Sequence, residues 1–85
     1  MRELKYVITD PEGIHARPAG QLVKAVAEFP CATKIANEDK EVDAKRLMAV
    51  MSLGVKAGQE ITITCDGEKE DEAITAIEEF LKANL

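Results

Sequence analysis

The only histidine of the chain, His15, stands in the segment Gly13-Ile14-His15-Ala16-Arg17-Pro18. Pro18 has no N–H and a fixed φ. The first turn of a helix tolerates this, because amide hydrogens there have no intrahelical acceptor. The segment therefore places a helix start within about two residues of His15. His15 is expected at or just before the N-cap, with the N–H groups of Ala16 and Arg17 pointing outward. A helix N-terminus is an anion site made of oriented donors and a partial positive charge. It favours negative charge by roughly 0.3–1 kcal/mol at an exposed position. It favours the neutral imidazole over the cation for the same reason, and a neutral imidazole keeps a lone pair for attack on phosphorus. The guanidinium fork of Arg17 suits phosphate oxygens. Gly13 permits a tight approach of the chain to His15, and Gly20 leaves one helix surface nearly flat. Nucleophile, backbone donors and cation thus fall within one short segment, and phosphoryl transfer asks for little beyond positioning and charge stabilisation. Taken alone, His-X-Arg-Pro also fits a surface loop histidine beside a solvated arginine.

Composition narrows the alternatives. A chain of 85 residues is expected to form one domain, 1–85, around a thin core. With 46% apolar residues the composition is that of a globular α/β domain and unlike that of a disordered chain. No apolar run approaches the roughly 18 residues of a membrane span. Met1 to Tyr6 alternates charged with apolar residues and lacks the apolar stretch of a signal peptide. A cytoplasmic protein without membrane insertion is expected. The net charge of −5 argues against a nucleic-acid binder. Acids crowd the stretch from Asp66 to Lys82, whereas Ile14 to Ala27 carries Arg17 and Lys24 with no acid. Ala44 to Ala57 carries Lys45, Arg46 and Lys56, also with no acid. These two basic segments suit an acidic partner. Cys31 and Cys65 read as reduced, buried, small hydrophobes, with a redox pair as the alternative. One histidine and two distant cysteines give no zinc spacing, so neither metal nor cofactor is expected.

The elements that must position His15 follow from periodicity. Leu4, Tyr6 and Ile8 alternate with Glu3, Lys5 and Thr9 as a strand with one buried face, and Asp10-Pro11-Glu12-Gly13 reads as a turn. Ala19, Leu22, Val23 and Val26 repeat at helical spacing, and Phe29-Pro30 ends that helix. Ala32 to Ala36 and Lys40 to Val42 read as short strands joined by Asn37-Glu38-Asp39. Leu47 to Leu53 reads as a short helix with Gly54 at C′. Ile61, Ile63 and Cys65 alternate cleanly, Asp66-Gly67 turns, and an amphipathic helix carries Ala73, Ile74, Ile77, Phe80 and Leu81 on one side. Its acidic first turn suits the helix dipole. The order is β-α-β-β-α-β-α, an α+β fold. One apolar face per strand implies a half-solvated, antiparallel sheet, and helices on the other face make a two-layer open-faced sandwich. Strand order is not legible in this pattern.

The short helix has a surplus. At about 100° per residue, Leu47, Met48 and Met51 share one arc while Ala49, Val50 and Leu53 lie roughly opposite. One short helix cannot press both arcs into one thin core. An exposed apolar arc with methionines suits an adaptable docking patch beside His15; the alternative is that loops bury both arcs.

With both segments in view, the chain resembles the histidine-containing phosphocarrier (HPr) family of the bacterial phosphoenolpyruvate-dependent sugar phosphotransferase system. Gly-Ile-His-Ala-Arg-Pro-Ala at 13–19 is similar to its active-site signature. Met48-Ala49-Val50-Met51-Ser52-Leu53-Gly54-Val55 is similar to its second-helix signature, and Gly58-Gln59-Glu60-Ile61-Thr62-Ile63 to its fourth strand. The resemblance runs along essentially the whole chain. It implies a four-stranded antiparallel sheet in the order 1-4-2-3, covered on one face by three helices. It implies that His15 accepts phosphate on Nδ1 from phosphorylated enzyme I, that Arg17 helps hold the phosphoryl group, and that enzyme IIA proteins or domains receive it. The docking surface it implies maps to Ala16, Arg17, Gly20, Gln21, Lys24, Leu47, Met48, Met51 and Ser52. Two positions depart from the family. Arg46 stands where many Gram-positive relatives carry a serine that a kinase phosphorylates, and arginine cannot accept that phosphate. Gly20 stands where alanine or threonine is frequent.

A stoichiometric carrier in sugar uptake, acting as a monomer, is the leading expectation. A carrier in a nitrogen-related or regulatory branch would share its chemistry. A purely regulatory docking module ranks lower because His15 is present. A metabolic enzyme ranks lowest, because no second acid or base accompanies His15 in the sequence.

Overall fold

The computed structural model describes residues 1–85. Its elements are β1 (Arg2–Val7), α1 (Ala16–Ala27), β2 (Ala32–Asn37), β3 (Lys40–Asp43), α2 (Leu47–Ser52), β4 (Glu60–Asp66) and α3 (Glu70–Asn84). All four strands form one sheet in the order β1-β4-β2-β3, and every pairing is antiparallel. Strand β4 comes last in sequence but lies between β1 and β2. Its alternation decides which face it buries: Ile61, Ile63 and Cys65 are buried, while Thr62 and Thr64 lie on the opposite face. Across the ladders Ile63 faces Leu4 on β1 and Ile35 on β2. The helices cover this face, and Leu22, Val26, Val50, Ala73, Ile77 and Leu81 complete the core. Each large aliphatic side chain so buried contributes about 1.5–3 kcal/mol relative to exposure. The other face stays open and polar, with Glu3, Lys5 and Lys34 exposed.

The element order, fold class and antiparallel sheet agree with the periodicity, and the strand order agrees with the resemblance. Element ends differ by a residue or two: Ile8 lies just past β1 and β3 runs on to Asp43, and three further ends have a visible cause. Helix α1 stops at Ala27, not at Phe29: Pro30 crowds the helical conformation of the residue before it, and the last amides turn inward, Glu28 N–H to Ala25 O at 3.3 Å and Phe29 N–H to Val26 O at 3.2 Å. Helix α2 ends at Ser52, with Leu53 as its C-cap and Gly54 following at φ +59°. Asn37 belongs to β2, not to the turn. It pairs with Lys40, and its buried amide lies 3.4 Å from both Leu53 O and Gln59 Oε1. The loop is thereby cut to Glu38-Asp39, with Glu38 at φ +57°.

Cys31 and Cys65 are both free and buried. The Thr33 hydroxyl lies between them, 3.8 Å from Cys31 Sγ and 3.7 Å from Cys65 Sγ. Burial pushes the Cys65 thiol above its ordinary value, so little of it is the reactive thiolate. Because both thiols are buried, both should react with a disulfide reagent on the order of a hundredfold more slowly in the native protein than in guanidinium chloride. Timed thiol titration checks this, and fast native reaction of either cysteine would contradict it.

Candidate functional site

Sheet order builds the site. Because β1 and β4 are antiparallel neighbours, the end of β1 lies beside the start of β4, and the two adjoining loops come together. Ile8 N–H donates to Gln59 O at 3.0 Å, Gly58 N–H to Ile8 O at 2.8 Å, and Ile14 N–H to Val55 O at 3.1 Å. Gly13, at φ +69°, is where the loops touch. A Cβ there would stand 2.2 Å from Val55 O and 2.8 Å from Lys56 Cα, so only glycine fits. The turn before it is closed by Gly13 N–H to Asp10 O at 2.9 Å and by Glu12 N–H to Asp10 Oδ1 at 2.9 Å. The Leu85 carbonyl oxygen accepts the Thr9 and Asp10 amides at 2.6 and 3.0 Å. Every turn of the path into His15 is thus pinned by backbone contacts.

His15 is the N-cap of α1, with extended φ −106° and ψ −179°. Its carbonyl accepts the first helical bond, from Ala19 N–H at 3.0 Å. Its imidazole makes no capping bond and is 38% exposed, so a large partner reaches it. Ala16 and Arg17 are the first helical residues, and their amides donate to no protein acceptor. Pro18 is the third helical residue and is buried. The Arg17 side chain is exposed and pairs with no carboxylate. No acid stands in the first turn of α1, so nothing already occupies its positive end.

Two residues that sequence reasoning left in the turn reach the imidazole. Asp10 Oδ2 lies 3.6 Å and Glu12 Oε2 3.5 Å from His15 Nε2. The expectation that no second acid accompanies His15 is therefore corrected. The turn folds back, and separations of five and three residues become side-chain contacts. The only hint in the sequence was the Asp-Pro-Glu-Gly-Ile-His order itself. One ligand atom from each of the three residues falls within 4.8 Å of the others, a donor set of the kind that divalent cations accept. The two sides of the ring see opposite fields: the helix amides favour negative charge near His15, and the carboxylates favour positive charge at Nε2.

The remaining expected site residues lie on α1 and α2, which pack against each other. Gln21 and Lys24 are exposed and Gly20 is half-buried, on the same side of α1 as Arg17. On α2, Met48 is 78% and Leu47 43% exposed, and Met51 is half-buried, whereas Val50 and Leu53 are buried. Loops do not cover the surplus arc. Ser52 is exposed, and its hydroxyl donates to Ala49 O at 2.6 Å. Arg46 is the exposed N-cap of α2, with no capping side-chain bond. The surface clefts of the molecule are lined by other residues, around Met1, Glu3 and Thr75, and His15 stands outside all three. An open surface of this kind suits another protein rather than an enclosed small molecule.

Comparison with known proteins meets this geometry. A family model for the PTS HPr component phosphorylation site matches residues 2–83. The chain belongs to that family. Its members include the phosphocarrier protein HPr of Lysinibacillus sphaericus, 38% identical over 81 residues that make up 95% of this chain and 92% of that protein. The solved structure of a Mycoplasma histidine-containing phosphocarrier protein superposes with a TM-score of 0.94 at 38% identity, covering 96% of this chain and 93% of that one. An HPr dimer from Thermoanaerobacter tengcongensis superposes at 0.78 with 34% identity, covering 98% of this chain and 95% of that one. As an HPr-family member the chain is a phosphocarrier of the phosphotransferase system.

The close approach at Gly13 gives a test of how the site is held. Gly13→Ala should lower stability by roughly 1–3 kcal/mol, through positive φ and backbone overlap together. Gly20→Ala, whose Cβ meets nothing within 4 Å, should raise it by about 0.5–1 kcal/mol. Thermal unfolding of the two variants checks both signs, and an unchanged Tm for Gly13→Ala would contradict the account.

Proposed function

We propose that His15 accepts a phosphoryl group at Nδ1 from phosphorylated enzyme I and passes it to enzyme IIA proteins or domains. The observation that carries this reading is the exposed imidazole at the N-cap of α1, beside amides of Ala16 and Arg17 that have no protein acceptor. In the transfer, a lone pair of His15 forms the new N–P bond while the donor's N–P bond breaks and returns its electron pair to the donor nitrogen. The phosphoryl oxygens then receive the Ala16 and Arg17 N–H groups and the Arg17 guanidinium. The onward step is the same exchange with an acceptor nitrogen. The chain is product of one exchange and substrate of the next, so it acts stoichiometrically rather than as a turnover enzyme.

Docking uses Arg17, Gly20, Gln21 and Lys24 of α1 with Leu47, Met48, Met51 and Ser52 of α2. Cations on an otherwise acidic molecule steer an acidic partner to this face, and the methionines adapt to more than one partner surface. Arg46, exposed at the start of α2, adds positive charge there. In this reading the protein acts in the cytoplasm, and as a monomer, since His15, the Ala16 and Arg17 amides and the Arg17 guanidinium all belong to one chain.

Incubation with phosphoenolpyruvate and enzyme I, followed by intact mass measurement, tests the proposal. One acid-labile phosphoryl group should appear on the wild type and none on His15→Ala. Met48→Asp should slow its appearance on the order of tenfold, as expected when charge enters an apolar contact. An acid-stable adduct, or full phosphorylation of His15→Ala, would overturn the role of His15. A wild-type rate for Met48→Asp would overturn the docking assignment.

A further inference from the structure

We propose that Asp10 and Glu12 are positioning residues that hold a proton on His15 Nε2, so that Nδ1 carries the reactive lone pair and the ring's charge is balanced once Nδ1 is phosphorylated. The proposal rests on His15 being the phosphoryl acceptor.

A neutral imidazole carries one N–H, and which nitrogen holds it is set by the partner of that N–H. Both carboxylates make their approach to Nε2, at 3.6 and 3.5 Å. These separations are slightly long for hydrogen bonds, and such contacts commonly tighten when the reacting complex forms. Asp10 is not a loose surface acid. Its Oδ1 is engaged by Glu12 N–H at 2.9 Å, which leaves Oδ2 for the imidazole. Its own N–H is held by Leu85 O and its carbonyl by Gly13 N–H. Its side chain is 24% exposed, against 74% for Glu12. Asp10 is therefore the fixed member of the pair and Glu12 the flexible one.

The charge balance shows what the carboxylates do. His15 attacks through Nδ1 while Nε2 keeps its proton, so no proton leaves the ring and the ring becomes a phosphorylated imidazolium. Its positive charge then lies beside two carboxylates. On transfer to the next protein the N–P electron pair returns to Nδ1, and the same Nε2–H tautomer is restored. The other charged groups around His15 act on the opposite side of this balance. Arg17 and the first amides of α1 favour the phosphoryl oxygens. The helix amides, on the side that receives the phosphoryl group, also disfavour a proton on Nδ1, and the carboxylates at Nε2 supply the acceptors that hold the proton there.

The test is imidazole nitrogen NMR on the full chain, with a chelator present so that no bound cation contributes. The rates of phosphoryl uptake from enzyme I and of onward transfer are measured beside it. Asp10→Asn keeps the oxygen that Glu12 N–H uses, so the turn survives while the charge is lost. Asp39→Asn, in the distant β2–β3 turn, is the control. The wild type should show the Nε2–H tautomer. Asp10→Asn/Glu12→Gln should raise the Nδ1–H share severalfold and slow both transfers on the order of fivefold, the scale of a part-exposed charge contact. Asp10→Asn alone should account for most of the effect, and Asp39→Asn should match the wild type. An unchanged tautomer ratio in the double variant, or wild-type rates despite a changed ratio, would overturn the proposal. If the wild type takes up no phosphoryl group, the functional reading fails, and the tautomer ratio still decides whether the carboxylates place the proton.

Discussion

The first amides of a helix have no acceptor within it. In α1 of this HPr-family chain the N-cap is His15, whose imidazole does not turn back to satisfy them. A serine or aspartate at the same position would accept one of those N–H groups and stabilise the helix by about 0.5–2 kcal/mol. The chain forgoes that stabilisation and keeps oriented donors next to a nucleophile. The helix holds regardless, because Pro18, Ala19, Leu22 and Val26 are buried. Burial of the middle of α1 thus permits an unsatisfied start.

An open helix start is useful only if it is held still. The strand order β1-β4-β2-β3 does this at a distance. Threading β4 between β1 and β2 sets the loop before α1 against the loop after α2, and the bond from Ile14 N–H to Val55 O joins them. The same topology sets α2 beside α1, so the apolar arc of Leu47 and Met48 lies on an element packed against the one that carries His15. Core packing, loop contact and site geometry are one arrangement described at three scales.

Much of this was legible in the sequence, for identifiable reasons. The alternation in β4 and the 3.6-residue periodicity of α1 and α3 are strong because each element buries one face only. Pro18 located the start of α1, since a proline is tolerated in few helical positions. The exposed arc of α2 followed from counting apolar residues against one thin core. Strand order did not follow from periodicity, which says which face is apolar but not which strand is a neighbour; it came from the family resemblance. The place of Asp10 and Glu12 was not legible either, because their approach to Nε2 depends on how tightly one turn folds. Asn37 misled for a related reason. Its composition suits a turn, but its amide is held inside by Leu53 and Gln59 from distant loops.

The central claim is that the first amides of α1 bind the phosphoryl group carried by His15. Amide proton–nitrogen spectra recorded before and after phosphorylation test it most directly. The account predicts that the Ala16 and Arg17 N–H signals undergo the largest downfield displacements in the protein, and that both return when acid removes the group. Unmoved Ala16 and Arg17 signals on a fully phosphorylated chain would contradict it.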